Sequence, residues 1–158
     1  PCDEDEEYAN ECFALGEALQ VKDIFFTGRI DIKEYLGKMD CTILTSISEG
    51  QPLTILESYA AKKPVIATDV GNCRELIYGE GDGCGTAGIL THIMNIAEIA
   101  SAMLKMASSP ELREEMGECG YQRLLSRYRI QHMKKTYEDI YKQIGQKYGV
   151  SVADVEER

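Results

Sequence analysis

The chain has 158 residues and a net charge of −10, because 27 Asp and Glu outnumber 17 Lys and Arg. This length suits one domain with a real core rather than two. The negative charge repels nucleic acids and anionic membrane surfaces and argues against both as partners, although local dipoles can still hold one anionic ligand.

The cysteines and histidines give no sign of a metal site. Six Cys and two His are scattered without a CxxC pair or zinc-ligand spacing. Cys41 lies in an apolar run and is expected to be a buried free thiol, as is usual in a reducing cytoplasm. No signal peptide or membrane-spanning stretch is recognisable. Because the chain begins with Pro1, an acidic run and a helix, we expect it to be a fragment of a longer protein.

The first half of the chain alternates predicted helices with short apolar strands. Apolar residues at every third or fourth position, after an acidic first turn, predict a helix over 5–20. The apolar run "DIFFTG" (23–28) predicts a short buried strand. The elements that follow are a helix over "IKEYLGKM" (32–39), a strand over "CTILTS" (41–46), a helix over 53–61 and a strand over "PVIAT" (64–68).

In the second half, Asn72 and Glu75 match a capping box at the start of the short helix "NCRELI" (72–77). Pro110, at the start of the second of the last three helices, and Gly120, within it, are expected to mark breaks in the helical region. The predicted elements are a glycine-rich loop over 79–88, a strand over "GILTH" (88–92), helices over 95–107, 110–126 and 129–147, and a polar tail over 149–158.

This alternation of strands and helices, without hairpin signals, predicts an α/β fold. We expect a Rossmann-like parallel sheet with helices on both faces. In such sheets, ligands bind where the carboxyl ends of the strands lead into helices. The stretch "SISEGQPLTILES" (46–58) lies at such a place.

That stretch has the features of an anion site. Pro52 suits the first helical position, since its missing N–H would have no partner there. The amides of Leu53 and Thr54 would then be free at the positive end of the helix dipole, which favours a phosphate or diphosphate. Gly50 lets the backbone approach a ligand closely.

Two carboxylates flank this predicted phosphate position: Glu49 on the loop and Glu57 within the helix. Like charges repel, so these side chains are better suited to hydroxyl groups on either side of a diphosphate. A nucleotide sugar has that arrangement, with ribose on one carboxylate and the transferred hexose on the other. On spacing alone, both can equally be solvated surface charges.

The stretch as a whole resembles the retaining glycosyltransferases of family four, which have the two-domain GT-B architecture. The resemblance runs from Ser46 and Glu49–Gly50 through Leu53, Glu57 and Ala60 to "PVIATDVG", and "FFTGRI" matches an upstream element of the family. It covers about residues 5–145. The Gln-Pro pair at positions 51 and 52 and "VGNCRELIYG" are similar to the Pel-type exopolysaccharide enzymes within that family.

The resemblance implies the C-terminal, donor-binding half of a GT-B fold, with a nucleotide-sugar-binding domain over 1–148. It also implies a UDP-hexose donor, UDP-glucose first, with no cofactor, metal or protein nucleophile. Glu49 would be catalytic, at the hexose; the diphosphate and sugar would be held by Gly50, Gln51, Pro52, Leu53 and Thr54, the ribose by Glu57, and the base by Gly28, Arg29 and Ile30.

The chain departs from the family in two respects. No Arg–Lys pair that would neutralise the diphosphate precedes the first helix, and the acceptor-binding N-terminal domain is missing. We therefore expect the fragment not to turn over by itself. Its expected partners are the donor, a growing polysaccharide bound through the missing domain, and inner-membrane export proteins; nucleic acid is not expected.

Several other features are interpreted as structural. Gly83–Gly88 fits G-x-G-x-x-G but precedes a strand, so it is expected to be a plain loop. A lone His92 is expected to be structural, Arg74 to lie in a capped turn, and the tyrosines of the last helices to pack. Two alternatives to a transferase stay open: an epimerase or phosphorylase of the same architecture, and a non-catalytic scaffold domain of a polysaccharide complex.

Overall fold

The computed structural model describes residues 6–149, which divide into two compact units, with the boundary between Tyr35 and Leu36. Each unit is described by itself. The helices are α1 (Glu6–Ala18), α2 (Lys33–Leu36), α3 (Leu53–Ala60), α4 (Cys73–Tyr78), α5 (Ile96–Ser108), α6 (Pro110–Arg127) and α7 (Ile130–Tyr148), and the strands are β1 (Thr42–Leu44), β2 (Val65–Thr68) and β3 (Gly88–Thr91).

The first unit corrects one prediction. Residues 23–28 form no strand, and Phe25 is 85% exposed. Phe26 instead meets Phe13 of α1 edge-on, with ring centroids 4.6 Å apart. An apolar run becomes a strand only when a neighbouring strand takes up its backbone hydrogen bonds, and composition does not reveal whether one is present. The helix predicted over 5–20 is confirmed as α1.

The sheet of the second unit confirms the predicted class. It is parallel throughout, in the order β1-β2-β3, with Ile43 beside Ile66 and Ile66 beside Ile89. Every residue of the central strand β2 is buried, as expected for a strand covered on both faces. Because the strands are parallel, their carboxyl ends meet at one edge.

Helices cover both faces of this sheet. Val65 and Ala67 of β2 belong to a core with Ile55 and Tyr59 of α3. Ile66, which points to the opposite face, belongs to a second core with residues of α5 and α6. The predicted two-sided covering is therefore confirmed.

The prediction that the Cys41 thiol is buried is wrong, because Cys41 lies at the edge of the described sheet. Cys41, just before β1, is half-buried rather than buried, since β1 has a neighbour on one side only within the described sheet. Burial still raises the pKa of the Cys41 thiol, and the adjacent Asp40 raises it further. The thiol is thus predominantly protonated at neutral pH.

Gly120 does not interrupt α6, contrary to the expectation of a break. The helix runs unbroken from Pro110 to Arg127, and Ser109 caps it by accepting from the amide of Leu112. A Cβ at Gly120 would lie 2.4 Å from the ring of Tyr59. The glycine is therefore needed for the close approach of α6 to α3.

Arg123 of α6 forms a buried ion pair that the sequence did not predict. Its side chain is fully buried and donates to Asp82, whose side chain is 4% exposed. It also donates to the carbonyls of Leu76 and Ile77, at the carboxyl end of α4. The Arg123 hydrogen bond lowers the pKa of Asp82 to about 2. This pair connects α6, α4 and the loop after α4.

Helix α7 is confirmed, but its tyrosines do not pack as expected. None of its residues is buried, and Tyr137, Tyr141 and Tyr148 are all exposed. No helix among residues 6–149 combines the length and the apolar character needed to cross a membrane. Of the predicted tail, only Gly149 lies within the described residues, as the left-handed C-cap of α7.

Candidate functional site

The predicted site residues of the second unit lie at the carboxyl edge of the sheet. Ser46 and Glu49 follow β1, and Gly71 and Asn72 follow β2. Thr68, the last residue of β2, is 1% exposed and donates its hydroxyl to the backbone carbonyl of Ser46. The loops after two neighbouring strands are thus joined directly.

Glu49 is half-buried, and its carboxylate has one described hydrogen bond. Ser46 donates its hydroxyl to Oε1 of Glu49 over 2.7 Å. Within residues 6–149, Oε2 receives no hydrogen bond and no ion pair is made. The carboxylate is therefore fixed at one oxygen and free to accept at the other.

Helix α3 begins at Leu53, where the predicted helix over 53–61 begins, but Pro52 is not the first helical residue that was expected. Pro52 is the N-cap, with an extended backbone (φ −69, ψ 113), and Leu53 is the first helical residue. An N-cap residue typically has extended φ and ψ, as Pro52 has, so the helix begins at the next residue. The amide of Ile55 donates to the carbonyl of Pro52 over 3.3 Å. Within the described part of the chain, the amides of Leu53 and Thr54 have no acceptor.

These two unbonded amides lie at an exposed helix start. Leu53 is 66% exposed and Thr54 is exposed, so a ligand can reach both. Unpaired N–H groups and the helix dipole both favour negative charge here. An anion site at these amides stays a prediction, with Glu49 on the loop that precedes them.

Glu57 lies on the exposed face of α3 together with Leu53 and Thr54, as predicted. The opposite face buries Ile55 and Tyr59. Among residues 6–149, the Glu57 carboxylate makes no hydrogen bond or ion pair. It can therefore accept hydrogen bonds from a ligand that extends along this face.

The loop after β2 fixes the backbone on which Glu49 lies. Gly71 has φ +51, and a Cβ there would come within 2.0 Å of the Glu49 carbonyl oxygen. The amide of Asn72 donates to the carbonyl of Gly50 over 2.9 Å. Only glycine allows this approach, since any side chain would push the two loops apart.

The predicted capping box at α4 is wrong. Asn72 is the N-cap residue, but its side chain accepts no hydrogen bond from the helix. Its backbone (φ −88, ψ 11) lacks the extended conformation that is typical of a side-chain cap, and its amide donates to Gly50. Arg74, expected to lie in a capped turn, forms an ion pair with Asp69.

Gly28, Arg29 and Ile30, predicted to border a base, lie in the first unit. Gly28 and Arg29 are exposed, and Gly28 has φ +63 just before a bend at Arg29. Thr27 donates its hydroxyl to the carbonyl of Gly28 over 3.3 Å. Their role at a base stays a prediction.

The features interpreted as structural have partners of their own. His92 is 83% exposed in its side chain and pairs through Nδ1 with Glu98, 2.9 Å away. Residues 83–87 form a loop that leads into β3 and opens no helix, which confirms its interpretation. Among residues 6–149, no three His, Cys, Asp or Glu side chains are grouped as metal ligands would be.

The sequence reasoning missed three parts of this arrangement. Thr68 ends β2 and Gly71 lies in the loop after it, so their contacts with the loop after β1 cannot be seen in the local sequence. The Ser46–Glu49 bond is local, since its partners are three residues apart, but no recognised motif predicts it.

Comparison with known proteins identifies the family. The model for Glycosyl transferases group 1 matches residues 3–123. N-acetyl-alpha-D-glucosaminyl L-malate synthase of Bacillus anthracis is 29% identical over 80% of this chain and 32% of its own length. Alpha-D-kanosaminyltransferase of Streptomyces kanamyceticus is 30% identical over 70% of this chain and 27% of its own. The chain thus spans about a third or less of these relatives.

Solved structures agree in fold. A sucrose-phosphate synthase from Thermosynechococcus elongatus superposes on 87% of this chain, and 34% of its own, with a TM-score of 0.76 and 20% identity. The Anabaena protein HepE, solved in complex with UDP, covers 87% of this chain and 37% of its own, with a TM-score of 0.79 and 20% identity. These neighbours have the GT-B fold. The chain therefore belongs to the group 1 glycosyltransferase family.

Proposed function

We propose that this chain is the donor-binding domain of a retaining glycosyltransferase that transfers a hexose from a UDP-sugar, UDP-glucose first, in Pel-type exopolysaccharide synthesis. The observation that carries the proposal is the pair of unbonded amides, Leu53 and Thr54, with one carboxylate on the loop before them and another on the same helix face. Family membership supports glycosyl transfer, and the Gln-Pro form of the loop supports the pathway.

The ligand groups divide among the residues by charge. The diphosphate takes the free amides at the start of α3, helped by the small Gly50 and by the backbone of Gln51 and Pro52. Glu49 accepts hydrogen bonds from the hexose, through the oxygen that Ser46 leaves free. Glu57 accepts from the ribose hydroxyls. Gly28, Arg29 and Ile30 border the base.

The proposed reaction needs no metal and no protein nucleophile. The acceptor hydroxyl attacks the anomeric carbon on the face from which the diphosphate leaves. A bond forms between the acceptor oxygen and the anomeric carbon, the bond from that carbon to the phosphate oxygen breaks, and the acceptor proton passes to the leaving phosphate. The amides of Leu53 and Thr54 stabilise the negative charge that develops on the diphosphate.

The donor class is proposed from the sequence motifs, and one structural neighbour has been solved with compounds of that class. HepE has been solved with UDP and also with UDP-glucose. At about 20% identity it bears on the fold alone, so UDP-glucose is proposed for this chain on the resemblance of its motifs. We further propose that the acceptor is a growing polysaccharide bound by the rest of the protein, in the cytoplasm and next to membrane export proteins.

Calorimetric titration of the full-length protein with UDP tests the assignment of the two carboxylates. Glu57→Ala should weaken UDP binding by about 1–3 kcal/mol, since the ribose hydroxyls lose their acceptor. Glu49→Gln should keep most of the UDP affinity but lose transfer from UDP-glucose. Glu115→Ala is the control, because Glu115 is an exposed carboxylate on α6. Unchanged UDP affinity in Glu57→Ala would remove Glu57 from the site.

A further inference from the structure

A chain of hydrogen bonds connects the Glu49 carboxylate to the central strand of the sheet. Thr68, on β2, donates its hydroxyl to the carbonyl of Ser46 over 2.5 Å. Ser46 then donates its own hydroxyl to Oε1 of Glu49 over 2.7 Å. A loop carboxylate is thereby tied, through two side chains, to the strand that is buried along its whole length.

The buried hydroxyl of Thr68 is not explained by packing. The other residues of β2 are Val65, Ile66 and Ala67, so the strand is otherwise apolar. A valine would fill the same volume without burying a hydroxyl, and burying a hydroxyl is costly unless it is hydrogen-bonded. The Thr68 hydroxyl is bonded, and its acceptor belongs to the residue that holds Glu49.

The connection leaves Glu49 ready to receive a ligand. Ser46 occupies one carboxylate oxygen, and the other makes no described bond within residues 6–149. A glutamate that is held in one rotamer before its ligand arrives does not lose that freedom on binding. It also presents its free oxygen in a constant direction, which matters most for a group close to a reacting atom.

We infer that Ser46 and Thr68 are positioning residues that orient the Glu49 carboxylate towards the transferred sugar of the donor. The inference rests on the proposed function, because it takes Glu49 to contact the hexose. Ser46 acts directly on the carboxylate, and Thr68 acts through the backbone of Ser46. Their effect should therefore appear in the transfer step rather than in the binding of the nucleotide.

Steady-state transfer from UDP-glucose and calorimetric binding of UDP, both with the full-length protein, test the inference. Ser46→Ala should lower kcat about tenfold or more, because the carboxylate is no longer held at the reacting centre, while the Kd for UDP stays within about twofold. Thr68→Val should have a smaller effect in the same direction. The conservative changes Ser46→Thr and Thr68→Ser keep a hydroxyl and should restore most of kcat.

Matched controls separate positioning from a general loss of hydroxyl groups. Ser101→Ala and Thr136→Val each remove an exposed hydroxyl that bonds to a carbonyl of its own helix, on α5 and α7. Both should leave kcat unchanged. Since Ser46 is only half-buried, Ser46→Ala remains informative even if Thr68→Val fails to fold.

A double-mutant cycle gives a readout that a merely structural role would not move. If Ser46 acts through Glu49, Ser46→Ala should have little further effect on the residual transfer of Glu49→Gln. Unchanged kcat in Ser46→Ala, or an equal loss in both backgrounds, would overturn the inference while leaving the proposed function intact. A wild-type protein that binds neither UDP nor UDP-glucose would overturn both.

Discussion

At the scale of the residue, the candidate site depends on small contacts that hold the backbone in place. Glu49 carries the proposed chemistry, but its position follows from Ser46, Thr68 and Gly71. Gly71 is the most constrained of these, because its missing side chain is what allows the loop after β2 to reach the loop after β1. The loop after β1, which carries Glu49, is thus positioned in part by residues of β2 and of the loop that follows β2.

Replacement of Gly71 by alanine tests this constraint. The new Cβ would lie 2.0 Å from the Glu49 carbonyl oxygen, so the loops must separate, at a cost of about 1–3 kcal/mol in unfolding free energy. We expect UDP binding to weaken as well. Chemical denaturation measures the first effect and calorimetry the second.

Gly81 is the matched control for Gly71. It also has a positive φ, +67, but a Cβ there would meet nothing within 4 Å. Gly81→Ala should therefore show only the backbone strain of a left-handed residue, about 1–2 kcal/mol, with unchanged UDP affinity. Equal effects of the two substitutions on UDP binding would show that the contact with Glu49 does not matter.

At the scale of the element, α4 is held at both ends. At its amino end, the amide of Asn72 donates to the carbonyl of Gly50, in the loop after β1. Its carboxyl end accepts hydrogen bonds from the buried guanidinium of Arg123, and Tyr59 of α3 donates to the same end. The Arg123–Asp82 pair thus contributes to the position of a helix that borders the candidate site.

The Arg123–Asp82 pair predicts a specific dependence of stability on pH. The pKa of Asp82 is about 2 in the folded protein, below its ordinary value of 3.8, mainly because of the Arg123 hydrogen bond. A lowered folded-state pKa stabilises the protein above the unfolded-state value, and this stabilisation is lost as the pH falls from about 4 towards 2. The contribution is about 2 kcal/mol.

Asp82→Asn measures that contribution. The difference in unfolding free energy between wild type and variant should be smallest near pH 2 and should increase by about 2 kcal/mol up to pH 5. Asp139→Asn, which removes an exposed carboxylate on α7 far from the pair in sequence, is measured alongside as the control. A pH-independent difference for Asp82→Asn would contradict the lowered pKa.

Local sequence patterns predicted most elements, and contacts between distant residues account for the failures. The periodicity of α3 and the apolar run of β2 are local, and both were predicted within a residue. The run at 23–28 failed because a strand needs a partner. The cap predicted at Asn72 failed because the amide of Asn72 donates to the carbonyl of Gly50, which is distant in sequence, and not to Glu75.

The same distinction holds for the site. Glu49, Glu57 and the start of α3 lie within one continuous stretch, so the resemblance of that stretch to the family was enough to propose them as site residues. Thr68 ends the next strand and Gly71 lies in the loop after it, so both reach the site only once the sheet has formed. Arg123 and Asp82 are 41 residues apart, and neither has a local pattern that indicates a buried pair.

At the scale of the whole molecule, the proposed anion site lies in an acidic chain. The net charge of −10 opposes the approach of a diphosphate at long range. Arg74, the cation on the start of α4, is already paired with Asp69. The proposal therefore assigns the binding of the diphosphate to short-range hydrogen bonds from the amides at the start of α3, which is the central claim of this account.

A crystal structure of the full-length protein with bound UDP tests that claim most directly. Phosphate oxygens are expected within about 2.7–3.2 Å of the amide nitrogens of Leu53 and Thr54, with the ribose hydroxyls on the Glu57 carboxylate. UDP bound elsewhere, with these two amides facing water or another part of the protein, would contradict it.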